Sequence, residues 1–261
     1  MADLGKSALI AQDEINRIWS EDAQNYDNVI QDELNSFRAA AWQEQILSHF
    51  SGGVPLKILD VGCGPAFFSI ILSAKGHDVT GVDSAAGMLE KARANVAAAG
   101  SGARILEMDA SDLRFPDQSF DLVVSRNVTH TLLDHARTYA EWRRVLKDGG
   151  LLLIYDANWH LTENVPALHR QYLGDWRSCV RRFGSDFSGN TDPDVEPPEE
   201  DVQGVHRRLG DLMRPDFDVG VLRAVGFRDV AYTRSIIDKL WDEKEKVLYG
   251  TTPMFELRAR K

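Results

Sequence analysis

The chain has 261 residues, 43% hydrophobic and 27% charged, with a net charge of −10. That length suffices for one substantial core, or for one domain with a large insertion. The negative charge makes nucleic acid a poor default partner, and no run reaches the roughly 18 apolar residues of a membrane helix.

The N-terminus, Met1-Ala-Asp-Leu-Gly-Lys, has no basic region followed by an apolar block, so a cytoplasmic protein without a secretory leader is expected. Cys63 and Cys179 form neither a disulfide framework nor a CxxC pair, and no metal is expected.

Residues 8–50 read as helical, with Leu9, Ile10, Ile15, Ile18 and Trp19, then Phe37, Trp42, Ile46 and Leu47, at helical spacing. The polar stretch Glu21–Asn28 is expected to break this region around Tyr26. From Lys57 the pattern alternates. Strands are expected at 57–61, 78–82, 104–107, 120–125 and 151–155, with helices at 67–74, 85–99 and 138–146 between them. Residues 158–218 interrupt the rhythm as a mixed, partly helical insertion. Between Gly184 and Val205 lie seven acidic residues, three prolines and no basic residue, which reads as a solvated, mobile loop. A helix at 219–225 and strands at 227–234 and 253–260 then restore the pattern. Alternating strands and helices imply a parallel sheet with right-handed crossovers.

The chemistry concentrates in Ile58-Leu-Asp60-Val-Gly62-Cys63-Gly64-Pro65-Ala66-Phe67, a buried strand ending in a glycine turn that opens a helix. Gly62 and Gly64 carry no Cβ to keep a ligand from the backbone, and such turns lie at the carboxyl ends of the strands, where ligands bind. Asp83, 21 residues after Gly62, can accept from two ribose hydroxyls, each bond contributing about 1.5–3 kcal/mol. Asp109, after the third strand, can take an adenine amine. NAD is the competing ligand. Against it, Phe67 stands where GxGxxG has its third glycine, and Pro65 removes an N–H that a pyrophosphate would use.

The segment Ile58–Ala66 resembles the first motif of class I S-adenosylmethionine-dependent methyltransferases, with Ala66 for the last glycine. Asp83 and Asp109 match that family's ribose and adenine acids. Phe120–Asn127, Glu141–Leu151, Leu222–Phe227 and Trp19–Tyr26 resemble its fourth-strand motif, fifth-strand turn, "LxxAGF" helix end and N-terminal "WxxxAxxY" lid. The resemblance covers residues 15–157 and 218–260. It implies a Rossmann-like α/β fold with seven strands, the last antiparallel. It also implies an N-terminal helical lid at 1–50 and a cofactor domain at 51–157 and 218–261; the insertion at 158–217, which the resemblance does not cover, is expected to cap the substrate. S-adenosyl-L-methionine is the implied cofactor. Its contacts would be Tyr26, Asp60, Gly62, Cys63, Gly64, Asp83, Ser84, Met88, Asp109, Ala110 and Arg126.

A small-molecule acceptor with an N, S or O nucleophile would be lined by Trp19, Asn127, His130, Asn158, Trp159 and His160. A hydroxyl acceptor needs a base, and His130 is the first candidate. Arg181/Arg182 and Arg207/Arg208 flank the acidic loop and are expected to be solvated or paired with its carboxylates. Two other functions share the glycine turn: a non-catalytic S-adenosylmethionine-binding module and an NAD-dependent oxidoreductase. A nucleic-acid methyltransferase is disfavoured by charge, and because Asn127-Val-Thr-His stands where an Asn/Asp-Pro-Pro-Tyr/Phe motif would be.

Overall fold

The computed structural model describes residues 2–187, 189–195 and 213–261. Among them lie seven strands: β1 (Lys57–Val61), β2 (Asp78–Asp83), β3 (Arg104–Glu107), β4 (Phe120–Arg126), β5 (Leu146–Asp156), β6 (Arg228–Thr233) and β7 (Phe255–Arg260). They make one sheet in the order β3-β2-β1-β4-β5-β7-β6. β1 to β5 pair in parallel, and β7 lies antiparallel to both β5 and β6. The order reverses between β1 and β4. That opens a crevice beyond their carboxyl ends, the place where this class of sheet holds ligands.

Side chains alternate across the strands and feed two cores. On one face Ile58, Leu122, Val124, Leu153 and Tyr155 pack with residues of α3 (Phe37–Leu47) and α4 (Phe67–Ser73), chiefly Trp42, Ile46, Phe67 and Phe68. On the other, Leu59, Val61, Val123, Leu152 and Leu257 meet Tyr139, Trp142 and Val145 of α6 (His135–Val145) and Leu222 of α9 (Asp216–Ala224). α5 (Ala86–Ala98) follows β2 and buries Met88, Leu89 and Ala92.

The polar stretch Glu21–Asn28 is helical, contrary to its composition. The chain breaks only at Asp22, between α1 (Ala2–Glu21) and α2 (Ala23–Leu34). α2 turns Ala23, Asp27, Ile30 and Glu33 inward at helical spacing, and its polar inward members find partners. Asp27 accepts from Asn95 of α5 at 2.7 Å, and Glu33 accepts from Arg126 of β4 at 2.7–2.8 Å. β5 also starts earlier than its apolar run, at Leu146, which pairs with Phe120 across an irregularity in register.

In the insertion, α7 (Leu161–Asn164) and α8 (Pro166–Phe183) are followed by the acidic stretch. Its described start is not simply solvated. Asp186 is buried because the Trp176 indole N–H donates to its carboxylate at 2.9 Å. A buried indole needs an acceptor. Arg181 lies 3.9 Å from Asp194 and Arg182 3.7 Å from Glu243. Residues 196–212, with Arg207, Arg208 and the rest of the acidic run, lie outside the described residues. Two short helices that the hydrophobic pattern did not reveal, α10 (Ile237–Leu240) and α11 (Glu243–Leu248), precede β7. α11 is held by a capping box between Asp242 and Glu245, and Leu248 packs on Trp176, Cys179 and Val180 of α8.

Candidate active site

The glycine turn is pinned to the sheet. The Gly62 and Cys63 amides both donate to the Val82 carbonyl, at 2.8 and 2.9 Å. Gly62 and Gly64 have φ of +68° and +50°, in the region that penalises a side chain. A Cβ on Gly62 would sit 2.2 Å from Val128 Cγ2, and one on Gly64 would sit 3.5 Å from the Tyr26 ring. Gly62 therefore lets β4's following loop close on the turn, and Gly64 lies directly under Tyr26. The Cys63 thiol faces Ala66, Ile70 and Ala92 in a small core, and burial pushes it well up. Only the Cys63 backbone is available to a ligand.

Two carboxylates flank the turn. Asp83 accepts from the Gly64 amide and the Ala85 amide, each at 2.9 Å. A carboxylate has about four acceptor sites, so capacity remains for ribose hydroxyls. Asp60 is buried and accepts from Ser69 Oγ at 2.7 Å. Burial pushes it up to about 6, against the pull of Ser69 and Arg126.

Beside them is a small cleft lined by Tyr26, Ile30, Asp60, Gly62, Cys63, Phe67, Phe68 and Arg126. Arg126 forms a two-pronged pair with Glu33 and lies over the Phe67 and Phe68 rings, at 4.7 and 5.1 Å. Burial opposes its charge, yet Glu33 holds its pKa above the ordinary arginine value. Asn127 takes φ +56°, lies beside Tyr26, and has a buried Oδ1 with no hydrogen-bond partner among the described residues.

The remaining expected contacts ring the same crevice. Ser84 donates to Asn16 of α1 at 2.8 Å, and Met88 packs with Ala23 and Ala85 under Trp19 and Tyr26. Asp109 accepts from the Ser111 amide at 2.6 Å, and the Ala110 carbonyl accepts from the Trp142 indole at 2.9 Å. Trp19 contacts both Tyr26 and His130, with ring centres 5.9 and 6.5 Å apart, and His130 lies 5.6 Å from His160. One aromatic wall thus runs from the glycine turn to His130.

His130 sits in a 3-10 turn after β4, with its Nδ1 3.0 Å from Asp156 Oδ1. The carboxylate can only accept, so Nδ1 carries a proton, and in the neutral ring Nε2 presents a lone pair. Asp156 ends β5 fully buried, and also receives the Thr129 hydroxyl, the His130 amide and Arg214 Nη1, at 2.7, 2.9 and 3.1 Å. Burial works against its charge, but His130 and Arg214 hold its carboxyl well below the usual carboxylate range.

Two expected acceptor contacts have other work. Asn158 spends both ends of its amide on the Arg214 backbone, at 2.9 and 3.1 Å. Trp159 donates to Asp156 at 3.1 Å and packs against Trp241 and Tyr249. Glu33, Thr129, Arg214 and Asp218 were not singled out from sequence. Each reaches the site through a contact distant in the chain, and no local motif marks such contacts.

The cleft's chemistry suits an amino-acid sulfonium. Asp60 and Asn127 Oδ1 are acceptors for an ammonium group, and a cationic ligand relieves the burial cost of the Asp60 charge. Asp83 suits ribose, and the Trp19–Tyr26 rings suit a sulfonium. The methyltransferase-domain family model matches residues 59–154. A demethylmenaquinone methyltransferase of Listeria monocytogenes is 27% identical over 183 residues, covering 68% of this chain and 75% of the relative. One from Thermus thermophilus is 34% identical over 142 residues, covering 53% and 64%. The solved structure of an S-adenosylmethionine-dependent methyltransferase from Mesorhizobium loti shares the fold at 23% identity, with a TM-score of 0.56 over 87% of this chain and 100% of that one. Among the described residues no helix is long and apolar enough to cross a membrane. With the glycine turn, its flanking carboxylates, the matched methyltransferase domain and the demethylmenaquinone methyltransferase relatives together, the chain is an S-adenosylmethionine-dependent methyltransferase of class I.

Proposed function

We propose that this enzyme methylates a hydroxyl-bearing small molecule held between the Trp19–Tyr26 lid and the His130–His160 rings. His130 serves as general base. The observation that carries this reading is the His130–Asp156 pair at 3.0 Å, with Nε2 unpartnered among the described residues. An amine or thiolate needs little help to attack an activated methyl. A neutral hydroxyl needs a base, and a buried carboxylate behind the imidazole stabilises the cation formed when it accepts the proton.

The bound sulfonium supplies the methyl, and its S–C bonding pair stays on sulfur. Asp60 and Asn127 would hold the amino-acid end, Asp83 the ribose, and Asp109 the adenine. Tyr26 and Trp19 would exclude water and fix the line of approach, and positioning of this kind supplies about 7–11 kcal/mol. His130 Nε2 would take the acceptor's hydroxyl proton. A deprotonated aromatic hydroxyl is nucleophilic at its oxygen and at the adjacent ring carbons, so a quinol fits. Relatives named for demethylmenaquinone support that class. The net charge of −10 supports a small acceptor over nucleic acid. Cytoplasmic residence belongs to the same proposal, since both cysteines are unpaired thiols.

The test is turnover across a panel of phenols, hydroquinones, amines and thiols, with the wild type and His130→Gln. Hydroxyl acceptors should be preferred, and His130→Gln should lower kcat by about 10²–10⁴-fold while leaving cofactor affinity unchanged. An amine or thiol as best acceptor, or full activity in His130→Gln, overturns the reading.

A further inference from the structure

The return of the insertion brings Arg214 into the middle of the buried cluster behind His130. Its side chain is 3% exposed. Nε and Nη2 fork onto the two oxygens of Asp218 at 2.8 and 3.0 Å, while Nη1 reaches Asp156 at 3.1 Å and Nη2 also donates to Thr129 Oγ1. The guanidinium lies 5.3 Å from the Phe255 ring centre, so water is excluded on that side too. Asn158 clamps its backbone.

Two carboxylates therefore face one guanidinium, and the cluster is one positive charge short of balance. Tyr139, His135 and Tyr26 do not close that gap. Tyr139 of α6 donates its hydroxyl to Asp218, and burial pushes it well up, so it stays protonated. His135, also of α6, donates Nε2–H to the Thr129 carbonyl at 2.9 Å, and burial lowers its pKa, so it stays neutral. The His160 ring lies tilted at 5.6 Å from His130, and Tyr26 faces the cluster from α2 as a phenol that burial keeps protonated. The missing charge falls to His130 when it accepts a proton.

We infer that Arg214 is a positioning residue for methyl transfer: by holding Asp156 and neutralising one of the two buried carboxylates, it keeps His130 free to accept a proton. With Arg214 in place the cluster has one net negative charge, which an imidazolium balances. Without it there are two, which draw a proton onto His130 more strongly. This rests on His130 being the base, but the charge linkage between Arg214 and His130 can be measured without turnover.

The experiment is an NMR titration of the histidine ring resonances of the full chain, saturated with S-adenosylhomocysteine, from about pH 5 to 9. His130 is assigned by its loss in His130→Gln. Removing a charge at this range in a dry site should raise the His130 midpoint by about one to two pH units in Arg214→Gln. Arg214→Lys should keep it near the wild-type value. The double variant Arg214→Gln/Asp218→Asn, which restores the net charge, should bring it back. A midpoint unmoved in Arg214→Gln, with the ring spectrum showing a folded protein, overturns the inference. If Arg214→Gln does not fold, a double variant whose His130 titrates away from the wild-type midpoint overturns it equally. The expected shifts together with full activity in His130→Gln would keep the linkage and discard the role of His130 as base.

Discussion

Arg126 at the end of β4 and Glu33 in α2 meet through two hydrogen bonds of 2.8 and 2.7 Å, both side chains about nine-tenths buried. This pair fastens α2 to a central strand beside the glycine turn. The position of α2 and the shape of the cleft thus depend on one ion pair. Removing one partner strands the other charge among Phe67, Phe68 and Trp42. Glu33→Ala should therefore cost about 3–5 kcal/mol, read as a lower midpoint in denaturant unfolding. A loss under about 1 kcal/mol would show that water reaches Arg126 freely.

Asp60 should trade stability for affinity. Its ordinary value of 3.8 is raised to about 6 by burial. Above pH 6 the folded protein bears the whole cost of a buried ionised carboxylate. As pH falls from about 6 towards 3.8 the folded state takes up the proton first, and that cost disappears. The two-unit gap corresponds to about 3 kcal/mol, an order-of-magnitude value. Asp60→Asn keeps an acceptor for Ser69, so it should raise the melting temperature at pH 8 and narrow its difference from wild type at pH 5. Differential scanning calorimetry at both values checks this.

The same group sets a pH limit on cofactor binding. As the proposed partner of the ligand's ammonium, Asp60 would have to be ionised, so affinity for S-adenosylhomocysteine should weaken as pH drops below about 6. Asp60→Asn should bind weakly at all pH values and lose this dependence. Calorimetric titration from pH 5 to 8 separates the two profiles, and an unchanged wild-type affinity at pH 5 would remove Asp60 from the ammonium site.

Asp83 should matter for the ribose and for the turn, since its two oxygens accept separately from Gly64 and Ala85. Asp83→Asn retains one oxygen for the Gly64 or Ala85 amide but presents an NH₂ where a second acceptor stood. Losing one or two charge-assisted bonds of about 1.5–3 kcal/mol each should weaken S-adenosylhomocysteine binding by at least tenfold. Binding within threefold of wild type would contradict the assignment.

Gly62 is a packing requirement. An alanine there would adopt φ +68° and drive its methyl to 2.2 Å from Val128. Gly62→Ala should cost more than about 2 kcal/mol from backbone strain and overlap combined. Adding Val128→Ala should recover the overlap share and leave the strain, a non-additivity visible in a double-mutant cycle.

The linear sequence determined the sheet, its switch point and the cofactor end of the site. Those features are local: apolar runs of strand length, glycines in a turn, and an acid closing the next strand. Asp60, Gly62, Gly64 and Asp83 lie within 24 residues of one another, so their spacing survives as a readable pattern. Tertiary structure decided what could not be local. The polar face of α2 looked like a helix break because its partners, Asn95 and Arg126, lie more than 60 residues away. Asp186 looked like part of a solvated run until Trp176 required an acceptor. The charge setting behind His130 comes from Arg214, 84 residues further along, delivered by the end of the insertion and gripped by Asn158. A buried charge is tolerated only where opposite charges converge on it from separate elements. That convergence is a property of the folded chain, because no short window of sequence contains all the partners.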